Sequence, residues 1–260
     1  MKKHILLLFL FLNFSVYSQS IAFFEKKLNA LISKRNSISE SDDEKAYENL
    51  AKYNAELEKL VLQFTSSNPE TLTYSFKEMP NGLNIVTSAD GQFRIYTWNT
   101  LEGGTMQFYK NVYQYKANGK VYSRLSKAET DEGDSGVNFY NLNEVKSNGK
   151  TYYITNSIAV GSSAAYHYEA KVFCIENGQL NDNAKLIKTK SGLKNTLGYD
   201  IDLSSSSNRD RTDGIEGRDY MTMVYDKKTK TIIIPLLNED GKITKKKIRY
   251  QFTGKYFEKI

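Results

Sequence analysis

The sequence predicts an α+β protein, with an N-terminal helical hairpin followed by a large antiparallel β meander folded as a sandwich or open barrel. Three observations carry this expectation. Apolar residues step at helical spacing only in the first quarter of the chain. They fall at Ile21, Phe24, Leu28 and Leu31, then at Ala46, Leu50, Tyr53, Leu57, Leu60 and Phe64. Beyond Thr71 that period gives way to short apolar–polar alternations between turn signals. The signals Asp90-Gly91, Asn118-Gly119, Asn148-Gly149, Asn177-Gly178, Asp213-Gly214 and Asp240-Gly241 recur roughly every 30 residues, one per pair of longer strands. A small β-propeller is the alternative, but a blade takes about 40–45 residues and fits that interval less well.

The chain opens with Lys2-Lys3, an apolar run over 5–14, and Ser-Val-Tyr-Ser-Gln. This pattern is expected to be a secretory signal peptide over 1–18, cut before Gln19, which places the protein in the periplasm or outside the cell. The apolar run is too short for a membrane span. Loss of the two leader lysines lowers the formal charge from +6 to +4. So mild a basic balance gives no ground for nucleic acid as a partner. A glycan, a peptide or an envelope protein is the expected partner. Cys174 is the sole cysteine, so no internal disulfide is available and the exported chain relies on its core.

Residues 19–68 are read as the helical hairpin. A first helix runs from 20 to about 35. Ser41 with Glu44 three residues later makes a capping box for the second, which Asn68-Pro69 ends. Residues 69–260 are read as the β domain. Pro235 within TIIIPLL marks an edge strand or a bulge. Lys245, Lys246, Lys247 and Arg249 read as a solvated strand that discourages edge-to-edge pairing, and YQFTGKYFEKI as the segment that closes the sheet. The irregular stretch 204–219 carries Asp210, Asp213, Glu216 and Asp219. Its spacing misses the EF-hand pattern, and Arg209, Arg211 and Arg218 compete for the carboxylates, so it reads as a surface loop rather than a calcium site.

The most informative stretch is 92–127, read as three strands joined by two tight turns. A two-residue turn at Asn118-Gly119 sets Ala117 opposite Lys120, Tyr115 opposite Tyr122, Tyr113 opposite Arg124 and Val112 opposite Leu125. An even-numbered turn around Glu102-Gly103 then gives a core face of Phe93, Ile95, Met106, Phe108, Val112, Val121 and Leu125. The other face gathers Arg94, Tyr96, Trp98, Tyr109, Tyr113, Tyr115, Tyr122 and Arg124, with Gln107 and Asn111. Rings with polar tips beside guanidinium groups suit a platform on which a sugar or peptide stacks, and these eight are the predicted ligand-binding residues. The same face also reads as a second inner layer, since aromatic cross-strand pairs hold sheets together.

Inventory excludes several chemistries. With the leader gone, His167 and Cys174 are the only His and Cys, too few for a zinc site of those ligands. Their odd offset on one strand puts them on opposite faces, so they form no dyad. Gly161-Ser162-Ser163-Ala164-Ala165 resembles a truncated nucleophile elbow but lacks the helix that must follow. No phosphate-binding glycine loop occurs, and no cofactor is expected. Carboxylate chemistry remains: glycosidases hold two carboxyl groups ~5–5.5 Å or ~6.5–9.5 Å apart. The candidates are Glu102, Glu169 and the pair Asp131/Glu132. The expected function is a non-enzymatic binding module, with a carbohydrate-active hydrolase and an envelope assembly protein as alternatives.

The leader ending in Tyr-Ser-Gln, the segment SADGQFRIYTWNTLEGGTM, the run AKVFCIENGQL and the ending YQFTGKYF resemble uncharacterised exported proteins of Bacteroidota. The resemblance implies an exported β-rich fold and no activity or site residue.

Overall fold

The computed structural model describes residues 21–38, 45–77, 81–126, 134–204, 221–238 and 243–260. The predicted leader, the Ser41/Glu44 capping box, Asp131/Glu132 and nearly all of the acidic loop lie outside them.

Two helices and three antiparallel sheets stack in four layers. Helices α1 (21–38) and α2 (Ala46–Ser67) cover a sheet of β1 (Leu83–Thr87), β2 (Phe93–Asn99), β3 (Tyr109–Ala117) and β4 (Lys120–Leu125), in that order. The second sheet contains β5 (Asn138–Ser147), β6 (Lys150–Val160), β7 (Ala165–Glu176) and β11 (Thr196–Asp202) in the order β11-β7-β6-β5, with β8 (Gln179–Asn181) also paired to β7. The third sheet uses β9 (Ile187–Thr189), β10 (Gly192–Lys194), β12 (Val224–Asp226), β13 (Thr231–Leu237), β14 (Ile243–Phe252) and β15 (Phe257–Lys259). Its order is β10-β9-β15-β14-β13-β12, and no sheet closes into a barrel. The one departure from antiparallel pairing is β15 beside β9, which makes the C-terminal strand the bridge between a short hairpin and the rest of its sheet.

Each junction between layers has its own apolar core. Phe24, Leu28, Ile32, Leu57 and Val61 of the helices pack on Tyr96, Trp98 and Val112. Phe93, Ile95, Tyr113 and Tyr115 of the first sheet meet Phe139, Tyr153 and Phe173 of the second. The opposite face of the second sheet, with Ile154, Val172 and Cys174, meets Ile232, Ile234 and Phe257 of the third. Full burial of such side chains contributes about 1.5–3 kcal/mol each, so three cores hold the chain without a disulfide. Cys174 is a buried free thiol whose burial pushes its pKa up to about 11.

Several expectations are met in detail. Asn68 caps α2 and Pro69 starts a short 3-10 turn. Asn118, Asn148 and Asn177 and the glycines after them all take positive φ, as two-residue hairpin turns demand. The β3–β4 register is the predicted one, with Tyr115 opposite Tyr122 and Tyr113 opposite Arg124. Pro235 sits at a register shift inside the interior strand β13, a bulge rather than an edge.

Two expectations are corrected. The buried stripe of α2 runs Leu50, Asn54, Leu57, Val61 and Thr65, rotated from the apolar pattern. Polar side chains turn inward because the sheet offers partners: Asn54 Nδ2 donates to the Thr100 carbonyl at 2.7 Å, and Thr65 Oγ1 to Ser123 Oγ at 2.7 Å. The second correction concerns the β2–β3 connection. Asn99 pairs with Tyr109, so residues 100–108, an odd number, form the loop instead of an even-numbered tight turn. This inverts the predicted side of β2. Phe93 and Ile95 share a face with Tyr113 and Tyr115, while Arg94, Tyr96 and Trp98 share one with Gln114, Val112 and Lys110. The loop folds back on Gly103, where a Cβ would collide with the Met106 carbonyl oxygen.

Candidate functional site

The inverted strand divides the predicted platform between two faces. Arg94, Tyr96 and Trp98 lie beneath the helices. Trp98 is 1% exposed, and its Nε1 has no hydrogen-bond partner among the described residues. Tyr96 donates to the Thr71 carbonyl at 3.1 Å, and burial raises its pKa. Arg94 Nη1 donates to the Thr71 and Tyr74 carbonyls, the latter at 2.9 Å, and Nε donates to Thr87 Oγ1 at 2.7 Å. Its guanidinium also stacks over Phe76 and Tyr96. Arg94 and Tyr96 hydrogen-bond the segment after the helices to the sheet, and Trp98 packs into the core beneath the helices.

Tyr109, Tyr113, Tyr115, Tyr122 and Arg124 share the opposite face, along the outer edge of the first sheet. Tyr113 is buried in the inter-sheet core, which raises its pKa. The others line two clefts at opposite ends of β3.

The first cleft, of about 530 Å³, lies between the β3–β4 turn and the β7–β8 turn, and takes Tyr115, Tyr122, Arg124, Asn118, Asn177 and Gln179 among its lining residues. Tyr122 is 37% exposed and stacks on buried Tyr115, centroids 5.5 Å apart and planes 22° from parallel. Arg124 Nη2 donates to Asp182 Oδ2 at 2.9 Å and Nη1 to the Leu125 carbonyl at 3.1 Å. Its plane covers the Tyr113 ring at 5.2 Å. Burial pushes the Asp182 carboxyl up, but the Arg124 hydrogen bond and charge outweigh it, so its pKa falls below the ordinary range. The two Asn-Gly turns touch: a Cβ on Gly178, at φ +77°, would lie 2.9 Å from Asn118 Nδ2. Glycine there is favoured by the positive φ of the turn, and it lets the Asn118 side chain lie against the neighbouring hairpin.

The second cleft, of about 520 Å³, lies where β3 runs on past the end of β4. Glu58, Glu102, Tyr109, Lys110, Asn111 and Asp134 are among its lining residues. Lys110 is paired with Glu58, and the Tyr109 hydroxyl donates to Gln107 Oε1. Behind the loop, buried Arg35 donates to the Asn99 carbonyl. Burial lowers its pKa to about 10, against the opposing influence of Glu102. Of the candidate catalytic carboxylates among the described residues, Glu102 and Glu169, Glu102 lines this cleft. Glu169 stands on β7 opposite Gly198 of β11, away from it.

No known family model, curated protein or solved structure matches this chain. The chemistry of the site therefore rests on its own residues.

His167 Nδ1 lies 2.8 Å from Asp200 Oδ1 across β7 and β11, an exposed pair on the face of β7 opposite buried Cys174. Ser162 stands in the turn before that strand. Its Oγ accepts the Ala164 and Ala165 N–H groups at 3.1 and 3.0 Å in a turn that leads into β7, with no helix. Among the described residues no cluster of three or more His, Cys, Asp or Glu is placed to hold a metal ion, and no helix is long and apolar enough to cross a membrane. Sequence reasoning missed Asn118, Asn177 and Gln179 as site residues. Both Asn-Gly pairs were visible as turns, but their meeting across two sheets is a tertiary fact.

Proposed function

We propose that this is an exported, non-enzymatic binding module that takes a glycan or peptide in the groove between the Asn118 and Asn177 turns. One observation carries the reading: Tyr122 keeps 37% of its surface exposed while stacked on a buried ring. A ring supported from behind is already ordered, so a ligand that stacks on it loses little side-chain entropy on binding. Asn118, Asn177 and Gln179 stand exposed beside it, with side-chain amides that make no hydrogen bond among the described residues. Each amide offers both donors and an acceptor. Export rests on the leader pattern of residues 1–18. The test is calorimetric titration of the protein with panels of soluble glycans and peptides, repeated on Tyr122→Ala. Binding that Tyr122→Ala weakens about tenfold or more supports the module. Absence of Tyr122-dependent binding to every panel member rules it out.

A hydrolase is the second reading, favoured by the gathering of Glu58, Glu102 and Asp134 around one cleft with Tyr109. It requires turnover of a glycan that Glu102→Gln abolishes and Tyr122→Ala leaves unchanged. A stable, folded Glu102→Gln protein with undiminished turnover eliminates Glu102 from that role.

A further inference from the structure

The groove between the two Asn-Gly turns has a definite electrostatic character, and we infer that its ligand is a neutral carbohydrate rather than an acidic sugar or a peptide. This rests on the binding-module reading above. Among the described residues Arg124 is the only ionisable lining group apart from the two tyrosines, and three of its five N–H groups already have protein acceptors. Nη2 is held by Asp182 at 2.9 Å, with the Leu180 carbonyl at 3.4 Å, and Nη1 by the Leu125 carbonyl. A ligand carboxylate brought to the Nη2 edge of that guanidinium would displace its charge-assisted bond, and one brought to any other edge would still meet a charge already neutralised by Asp182, a like charge to the ligand.

What remains available is uncharged. The Tyr122 face suits the C–H-bearing side of a sugar ring, because the π-face is the negative side of the ring quadrupole. Three exposed amides, Asn118, Asn177 and Gln179, stand around the ring and can both give hydrogen bonds to hydroxyl oxygens and accept them from hydroxyl groups. A peptide bound in extended form would take its affinity from the main chain of the free β4 edge, whereas the side chains beside Tyr122 in this groove are amides, a second phenol ring and the Arg124 guanidinium. The absence of a side chain at Gly178 leaves room for the Asn118 amide beside the neighbouring turn.

The experiment is calorimetric titration of the purified protein with neutral hexasaccharides of glucose, mannose, galactose and N-acetylglucosamine, with hexagalacturonate, and with uncharged and acidic hexapeptides. At least one neutral hexasaccharide is expected to bind at least about tenfold more tightly than hexagalacturonate and either peptide. Its affinity should change less than about twofold between roughly 0.05 and 1 M NaCl, because no ligand charge is screened. Tyr122→Ala should weaken it about tenfold, and Tyr122→Phe should retain it. If hexagalacturonate or a peptide binds best and still depends on Tyr122, the neutral-sugar inference is overturned and the binding groove stands. If nothing binds in a Tyr122-dependent way, both are overturned.

Discussion

On the helix-facing side of the first sheet, Trp98 and Tyr96 are sealed and Arg94 is nearly so, whereas on the opposite side Tyr122 is exposed and Arg124 and Tyr109 remain half-buried. The two sides have similar chemistry, aromatic rings with polar tips and an arginine each. They differ in what covers them. Helix α2 lies along β3 and β4 on one side, with Thr65, Asn54 and Glu58 bonded to the sheet or its loops. On the other side the second sheet packs over Phe93, Ile95 and Tyr113 but leaves the β4 rim open beside the β7–β8 turn. Composition therefore does not decide whether an aromatic face binds a ligand or builds a core. Coverage does, and coverage is set by which residues share a face.

The largest effect should come from the sealed side. Trp98→Ala should cost about 3–5 kcal/mol by urea unfolding, as expected for a large aromatic removed from a packed core. A cost near that of a surface substitution would break the contrast. Arg94→Met should follow, at about 1–3 kcal/mol, because it leaves the buried Thr71 and Tyr74 carbonyls without their charged donor. Melting of this variant in parallel with Arg124→Met sharpens the comparison, since Arg124 sits in a half-open pair and should cost less.

The Arg124–Asp182 pair also gives a pH dependence. The folded pKa of Asp182 is depressed, so its contribution is fully present above the unfolded carboxyl value and is lost as pH falls through the folded value. Both side chains are 29% exposed, which limits the effect to about 1 kcal/mol or less. Asp182→Asn should remove that part of the acid-limb slope of stability, measured from pH 7 downward. An unchanged slope would show that the pair contributes nothing to folding. Smallest of all, Tyr122→Ala should change stability by less than about 1 kcal/mol, as a partly exposed residue whose loss is felt in binding.

The parts of this arrangement legible in the sequence are those fixed by local chemistry. Asn118-Gly119 sets the β3–β4 register through two residues, and so the pairs Tyr115–Tyr122 and Tyr113–Arg124 could be read directly. The face of β2 could not. Its parity depends on how residues 100–108 fold back around Gly103, where Leu101 takes φ +62° and the Thr100 N–H reaches the Phe108 carbonyl at 2.7 Å. An odd loop flips every side chain of the strand, which moved Trp98 from the platform to the helix interface. Asn54 and Thr65 were invisible as buried residues for a similar reason, because only the sheet supplies the partners that make their burial favourable.

Trp98 allows the contrast between the two sides to be measured without any ligand. It is the single tryptophan, so its fluorescence reports one place in the molecule. Acrylamide should quench it poorly in the native protein, and equally poorly in Tyr122→Ala, with efficient quenching only after unfolding in urea. Efficient quenching of the native protein would place the indole in solvent, and the division of the sheet into a sealed side and an open side would be wrong.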